Sequence, residues 1–398
     1  MLGIRQRICT QTTSHQPRTQ RLTVRRQQMI RIRACALVFG TCLVAAHADA
    51  AMIEDPGQGP VAIEPSGSGA SELSGLTWIG DADFAAVSDD TSGGGRVFGL
   101  QVVLDSSTGE IQLPAAVVDT LELAAGQDLE GIAFDAIEDT FVVSDEIGPT
   151  LHIFDRSTGA LEDVIAVPDV FVDGLRSNLG LESLTRTGDG ELWTANEEAL
   201  TSDGEVASFT SGTIVRLQRF AQDHTPNGQW GYVTDAITAD IFGSAPGRDI
   251  ERSGVVDLAV LDDGAVLVLE RMLGGNPSNS LPIFRIRLYE VDLSEADDTS
   301  NIDSLSPGSF QPAGKTLLWE ASFDALAAQH NFEGLAIGPL LDTGARALLL
   351  ISDDAGFGGA SQALYALTVQ GDNEIFSDDF ESGDTGRWSA ATPGAASR

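Results

Sequence analysis

Residues 128–149 read DLEGIAFDAIEDTFVVSDEIGP. Two apolar runs, GIAF and TFVV, are short and rich in β-branched and aromatic residues, as buried strands are. The stretch between them, DAIEDT, has turn composition. Two antiparallel strands joined by one turn bring the start of the first beside the end of the second. Glu130 and Asp145, fifteen residues apart, then meet at one end of a hairpin.

The unit recurs. Its openings are LSGLTW (73–78), LEGIAF (129–134), LESLTR (181–186), VDLAVL (256–261) and FEGLAI (332–337). Its closings are AAVSDD (85–90), FVVSDE (141–146), LWTANE (192–197), VLVLER (266–271) and LLISDD (349–354). Openings and closings alternate five times, separated by IGDAD, DAIED, RTGDG, LDDG and PLLDTGA. Asp-Gly pairs in these connections suit tight hairpins. Repeats of this size in a β-rich chain point to an all-β fold, a β-propeller. Each hairpin supplies the two inner strands of a blade. Outer strands follow in RVFGLQVVL, TLHIFDRSTG and LPIFRIRLYEVDL. Five blades are visible, and the spacings 198–255 and 272–331 leave room for a sixth.

The innermost strands of a propeller line one channel. With the openings as those strands, Ser74, Glu130, Glu182, Asp257 and Glu333 ring one mouth. The closings end there with Asp89, Asp145, Asn196, Glu270 and Asp353, followed by Asp90, Glu146, Glu197, Arg271 and Asp354. Carboxylates at such range must share protons, bind cations or pair with arginine. Hard oxygen donors with few histidines favour Ca²⁺ over zinc or copper. The expected metal ligands are Glu130, Glu182, Asp257, Glu333, Asp89, Asp145 and Asp353. Glu146 and Glu197 are candidates to orient an attacking water. His330, three residues before Glu333 in AQHNFEGLA, joins them as a catalytic candidate. Arg271, Arg96 and Asn196 are candidates to meet a ligand. The competing reading has some of these acids capping turns and Arg271 pairing with a neighbouring carboxylate.

The chain ends differ from the centre. Residues 1–48 hold eight arginines and no acidic residue. MIRIRACALVFGTCLVAAHADA (29–50) has the order of a secretory signal: Arg31 and Arg33, an apolar stretch Ala34–Ala46, then small residues near Ala48 and Ala50. The apolar run is too short for a stable membrane span. Met29 and Met1 are alternative starts. Cys9, Cys35 and Cys42 all precede the cleavage position, so the mature chain has neither a disulfide framework nor a thiolate metal site. Cleavage after Ala50 leaves 15 basic and 58 acidic residues, a formal charge of −43, with Lys315 the single lysine. Such a surface repels nucleic acid and anionic membranes. The expected location is the periplasm or the extracellular space. Residues 51–70 form a linker or, through VAIEP, a ring-closing strand; 71–370 form the propeller; 371–398 form a tail. That tail, with FESGDTGRW, resembles ones found at the ends of some exported bacterial proteins.

Other chemistry lacks a motif. There is no GxSxG elbow and no HExxH, and GGGR (93–96) lacks the Lys-Ser/Thr of a phosphate loop. The ordered set ELSGLTW…AVSDD, DLEGIAF…FVVSDEIGPTLHIFD, NLGLESLTRTGDGELWTANEEAL, VVDLAVLDDGAVLVLER and NFEGLAIGP…LLLISDD resembles the phytase-like family, described as having esterase-like activity of phytase. The resemblance covers roughly residues 70–370. It implies an exported bacterial β-propeller with calcium as partner, hydrolysing a small-molecule ester or phosphoester. The chain departs from propeller phytases in having few basic residues near the repeats. A second resemblance is to calcium-dependent lactonase propellers, and it implies metal-site parts for Glu130 or Glu182, Asn196 and Asp353. The expected function is metal-assisted hydrolysis of an ester, with a phosphoester favoured, by a monomer. The alternative is a non-catalytic, calcium-stabilised propeller that binds a ligand or a protein.

Overall fold

A strand with apolar residues on both faces must be covered on both. Leu348 and Leu350 pack into one buried cluster, and their neighbours Leu349 and Ile351 pack into another. This is the position of a strand inside a blade, with a further blade on each side. The computed structural model describes residues 50–64, 70–90, 94–176, 179–238, 252–275, 282–323, 330–353 and 362–371. The secretory signal and the FESGD tail lie outside the described residues.

Five antiparallel blades follow one another along the chain. The first holds β3 (Leu73–Gly80), β4 (Asp83–Ser88), β5 (Arg96–Leu104) and β6 (Ile111–Glu122). The second holds β7 (Leu129–Asp135), β8 (Thr140–Asp145), β9 (Thr150–Asp155) and β10 (Leu161–Ala166). A short helix, α1 (Asp169–Gly174), leads to the third, with β11 (Thr185–Arg186), β12 (Leu192–Ala195), β13 (Ile214–Phe220) and β14 (Pro226–Val233). The fourth holds β15 (Arg252–Val260), β16 (Val266–Gly275), β17 (Pro282–Asp292) and β18 (Gly314–Phe323). The fifth holds β19 (Asn331–Leu340), β20 (Arg346–Asp353) and β21 (Ala363–Gln370). Among the described residues, the spacings that left room for a sixth blade hold the outer strands of blades three and four.

The first strands of the blades touch in a circle: β3 meets β7, β7 meets β11, β11 meets β15, β15 meets β19, and β19 returns to β3. The N-terminal strands complete the ring. β1 (Met52–Glu54) pairs antiparallel with β21. β2 (Val61–Glu64) pairs antiparallel with β21 and parallel with β6, splicing the fifth blade to the first. A separate apolar cluster fills each interface between successive blades.

At the axis the openings approach so closely that side chains do not fit. A Cβ at Gly131 would lie 2.5 Å from the Leu184 nitrogen, and one at Gly75 or Gly334 would collide with the next opening's backbone. Glycine after the opening's polar residue is therefore a packing requirement.

Ile63 is buried in the splice between blades five and one. Ile63→Ala should lower stability by about 2–5 kcal/mol, the cost of a large-to-small core change. Ile53→Ala, in half-buried β1, should cost less. Equal denaturation midpoints for wild type and Ile63→Ala would show that the splice is not stabilising.

Candidate metal and active site

Four of the five openings carry a β-bulge near their start, where an extra residue is unpaired and the side chain is re-aimed. In β19 the extra residue is Glu333 itself, between Phe332 and Gly334. In β7 the bulge spans Glu130 and Gly131, and in β3 it spans Ser74 and Gly75. The acids so aimed are buried: Glu130, Glu182 and Glu333 keep at most 8 % exposure.

The closings obey the ladder. Strand side chains alternate, so the residue after the opening's ladder partner faces the axis. Leu73 pairs with Ser88, and Asp89 follows. Leu129 pairs with Asp145, and Glu146 follows. Leu181 bridges Asn196, and Glu197 follows. Phe332 pairs with Ser352, and Asp353 follows. These axial residues meet the opening acids.

The resulting mouth is crowded with like charge. Ser74 Oγ donates to Glu130 Oε2 at 2.7 Å. Burial pushes the Glu130 carboxyl well above the usual range, and Asp89, Glu333 and Glu146 add repulsion. Glu182 is pushed up by burial and by Glu130, Glu197, Glu146 and Glu333. Burial, Asp353 and Glu333 push Asp89 up to about 9. Glu146 rises to about 7, chiefly through burial, against the lowering effect of the Gly180 N–H bonded to its Oε1. A side-chain hydrogen bond between Glu146 and Asp128 raises the first carboxyl and lowers the second. Asp128, Glu130 and Glu146 bring one oxygen each to within 4.8 Å of one another. Asp128 was not among the expected site residues; its signal was its place directly before the second opening, facing the closing's Glu146.

One cation sits among these acids. Arg271 donates through Nη1 to Glu333 Oε1 and to Asn331 Oδ1 at 3.0 Å, and through Nη2 to Glu197 Oε1. Burial works against its charge, but Glu333 and Glu197 more than offset that and hold the guanidinium protonated. Asn331 Nδ2 also donates to Asp353 Oδ2 at 3.2 Å.

Other expected site residues lie elsewhere. Asp145 is the ladder residue, not the axial one; its carboxylate accepts the N–H groups of Gln127 and Ile147, both at 3.0 Å, and that of Asp128. Asn196 has the same position and is used on both sides: Oδ1 accepts the Arg216 N–H at 2.9 Å and Nδ2 donates to the Glu198 carbonyl at 2.6 Å. In β15 the bulged residue is Val256, at the place Glu333 holds in β19, and Asp257 stands one place later, back on the ladder. Its carboxylate accepts the N–H groups of Leu335 at 2.6 Å and Leu258 at 2.8 Å, stapling β15 to β19. Glu270 is the ladder residue of its closing, like Asp145, and turns away from the axis onto Tyr232 Oη and Lys315 Nζ, both at 2.6 Å. Arg96 is bound to Asp90 at 2.8 Å and lies over the Phe98 ring. His330 is buried in an aromatic layer, edge-on to Phe323 and tilted on Phe332.

The exposed acids have other work. Asp105 and Asp155 accept hydrogen bonds from the serines and threonines of their own turns, which lower their pKa. A hollow of about 210 Å³ opens the opposite mouth of the channel, but its arginines are bound there, Arg186 to Asp135 at 2.9 Å and Arg346 to Asp262 at 2.7 Å. The acid mouth is therefore the candidate site.

Two observations make the mouth fit for a hard divalent cation. Asp89 Oδ1 is buried with no hydrogen-bond partner. The Glu182 carboxylate, 8 % exposed, has neither a hydrogen bond nor an ion pair among the described residues, and four carboxylates repel it. Buried carboxylates left so are costly unless protonated or bound to a cation. The donors are all oxygen, as calcium prefers.

Fold and site together define a five-bladed β-propeller with an acid-lined channel mouth. The family described as esterase-like activity of phytase matches residues 68–356, and the chain belongs to this phytase-like family. No curated protein matches the sequence. Among solved structures, a luciferin-regenerating enzyme is 15 % identical with a TM-score of 0.37, covering 79 % of this chain and 97 % of its own. An endo-arabinase from Bacteroides thetaiotaomicron is 11 % identical with a TM-score of 0.38, covering 78 % and 96 %. At such scores neither adds to what the sheets show.

The raised carboxyls give a pH test. The folded chain keeps protons that the unfolded chain has released. Their stabilisation is whole below about pH 4 and is lost as pH rises toward about 9, the value for Asp89. In EDTA the melting temperature should fall from pH 5 to pH 9, and millimolar calcium should remove most of that fall by binding the folded state. A melting temperature indifferent to both would count against the cluster.

The ligands are separable from the staples. Glu130→Gln and Glu182→Gln should each weaken calcium binding by about tenfold or more, by calorimetric titration. Asp257→Asn should lower the melting temperature and leave calcium affinity within about twofold, because its carboxylate serves the backbone. Equal loss of affinity in all three would mean diffuse attraction to a negative surface.

Proposed function

We propose that the protein is a propeller hydrolase that cleaves a small-molecule ester at the acid mouth, with calcium as its cation. The observation that carries this reading is the pairing of a buried Asp89 Oδ1 without a hydrogen bond and the buried Glu182 carboxylate with a neighbouring carboxyl, Glu146, whose pKa is raised to about 7. Membership of the phytase-like family supports the ester class.

Asp89, Asp128, Glu130 and Glu182 would hold the cation. When bound, it supplies polarisation of the ester oxygen and offsets charge that develops there. Glu146 takes the proton of the attacking water. Its Oε1 is anchored by the Gly180 N–H, which fixes the carboxylate, and its pKa of about 7 suits a base working near neutral pH. Glu197, the other carboxylate expected to orient water, is bound by Arg271 and serves to position that guanidinium. Arg271 is thereby spent on carboxylates, so among the described residues at the mouth a phosphate group would meet the cation but no free guanidinium. This favours an uncharged ester or a lactone over a phosphomonoester.

The test is a screen of the purified full-length chain with p-nitrophenyl acetate, lactones and p-nitrophenyl phosphate, in calcium and in EDTA. Calcium-dependent cleavage of the uncharged esters is expected. Glu146→Gln should lower kcat by about 10²–10⁴-fold, the usual contribution of a general base, and remove the rise of kcat with pH. No cleavage of any ester in calcium would favour the non-catalytic, ligand-binding propeller instead.

A further inference from the structure

The acid mouth is not uniform. On one side Asp89, Asp128, Glu130 and Glu146 face one another, and among the described residues no basic side chain is bonded to any of them. On the other side Glu197 and Glu333 are bridged by one guanidinium. Glu182 lies between, close enough to Glu130 and Glu146 to be repelled by both, and to Glu197, Glu333 and Arg271 as well.

Arg271 is fastened there. It is 8 % exposed and reaches Glu197, Glu333 and Asn331, side chains from two other blades' strands and loops. Removing it would leave two buried carboxylates without a counter-charge, an arrangement that costs several kcal/mol when nothing replaces the partner. Paired divalent ions in carboxylate sites sit about 3.5–4 Å apart and share ligands. Glu182, shared by both halves, has the place of such a bridging ligand, but the second position is filled by the side chain of this blade.

We infer that the Arg271 guanidinium takes the place of a second cation, so that the mouth binds one divalent ion, on the side of Asp89, Glu130 and Glu146. The inference rests on reading the mouth as an ion site. It makes Arg271 a positioning residue that sets stoichiometry: the guanidinium neutralises Glu197 and Glu333, keeps Glu182 turned to the single ion, and holds the second half closed to metal.

The experiment counts tightly bound calcium per full-length chain, by equilibrium dialysis and elemental analysis at about 0.15 M salt, where loose surface binding is screened. Wild type should hold one ion. Arg271→Lys keeps a positive charge and should hold one. Arg271→Gln removes the charge, leaves the carboxylates, and should hold two; it is prepared in calcium so that the vacated half is filled as the chain folds. Two tight ions in wild type or in Arg271→Lys would overturn the inference and leave the ion-site reading standing, and neither count depends on Arg271→Gln folding. One ion in both wild type and Arg271→Gln would also overturn it. No tight ion in wild type would overturn the ion-site reading itself.

Discussion

Five innermost strands share one axis, and their starting ends lie so close that there is space for glycine and backbone but not for a full set of side chains. That crowding governs the rest. It requires Gly75, Gly131 and Gly334 at the closest approaches. It is relieved by a bulge in the opening strands, and the bulge re-aims a polar side chain into the mouth. The carboxylates are thus brought together by the same geometry that closes the ring. The apolar clusters between blades supply the stability against which their repulsion is tolerated.

The molecule answers this charge in several ways. Burial and mutual repulsion raise the Asp89 and Glu146 carboxyls, which favours their protonated forms. Arg271 binds Glu197 and Glu333. Asp145 and Asp257 are fully used by backbone N–H groups, so their charge is spent on structure. Glu182 has neither an arginine nor a backbone N–H bonded to it among the described residues, and it is the residue around which the proposed cation binding is built.

Much of the fold was legible because both faces of each inner strand are apolar and the hairpin repeats in order. Openings and closings locate β3 and β4, β7 and β8, and their counterparts. The meeting of Glu130, Glu182, Glu333, Asp89 and Asp353 also follows from hairpin geometry. What was not legible is register. Matching SDD to SDE in the closings aligns Asp89 with Asp145, but the ladder pairs Leu73 with Ser88 and Leu129 with Asp145, which makes Glu146 the counterpart of Asp89. In the fourth opening Val256 holds the bulged place that Glu333 holds in the fifth, so Asp257 falls back on the ladder, while Glu270 is the ladder residue of its closing and Arg271 the axial one. A one-residue slip reverses the face of every side chain, and nothing in the local composition announces it.

The central claim is that the acid mouth is a cation site built on Glu130, Glu182 and Asp89. Anomalous diffraction from crystals grown with calcium or terbium tests it most directly. The account predicts a peak at the mouth, about 2.3–2.6 Å from carboxylate oxygens of Glu130 and Asp89. A mouth without a peak, with ions found only at exposed turn acids such as Asp105 and Asp155, would contradict it.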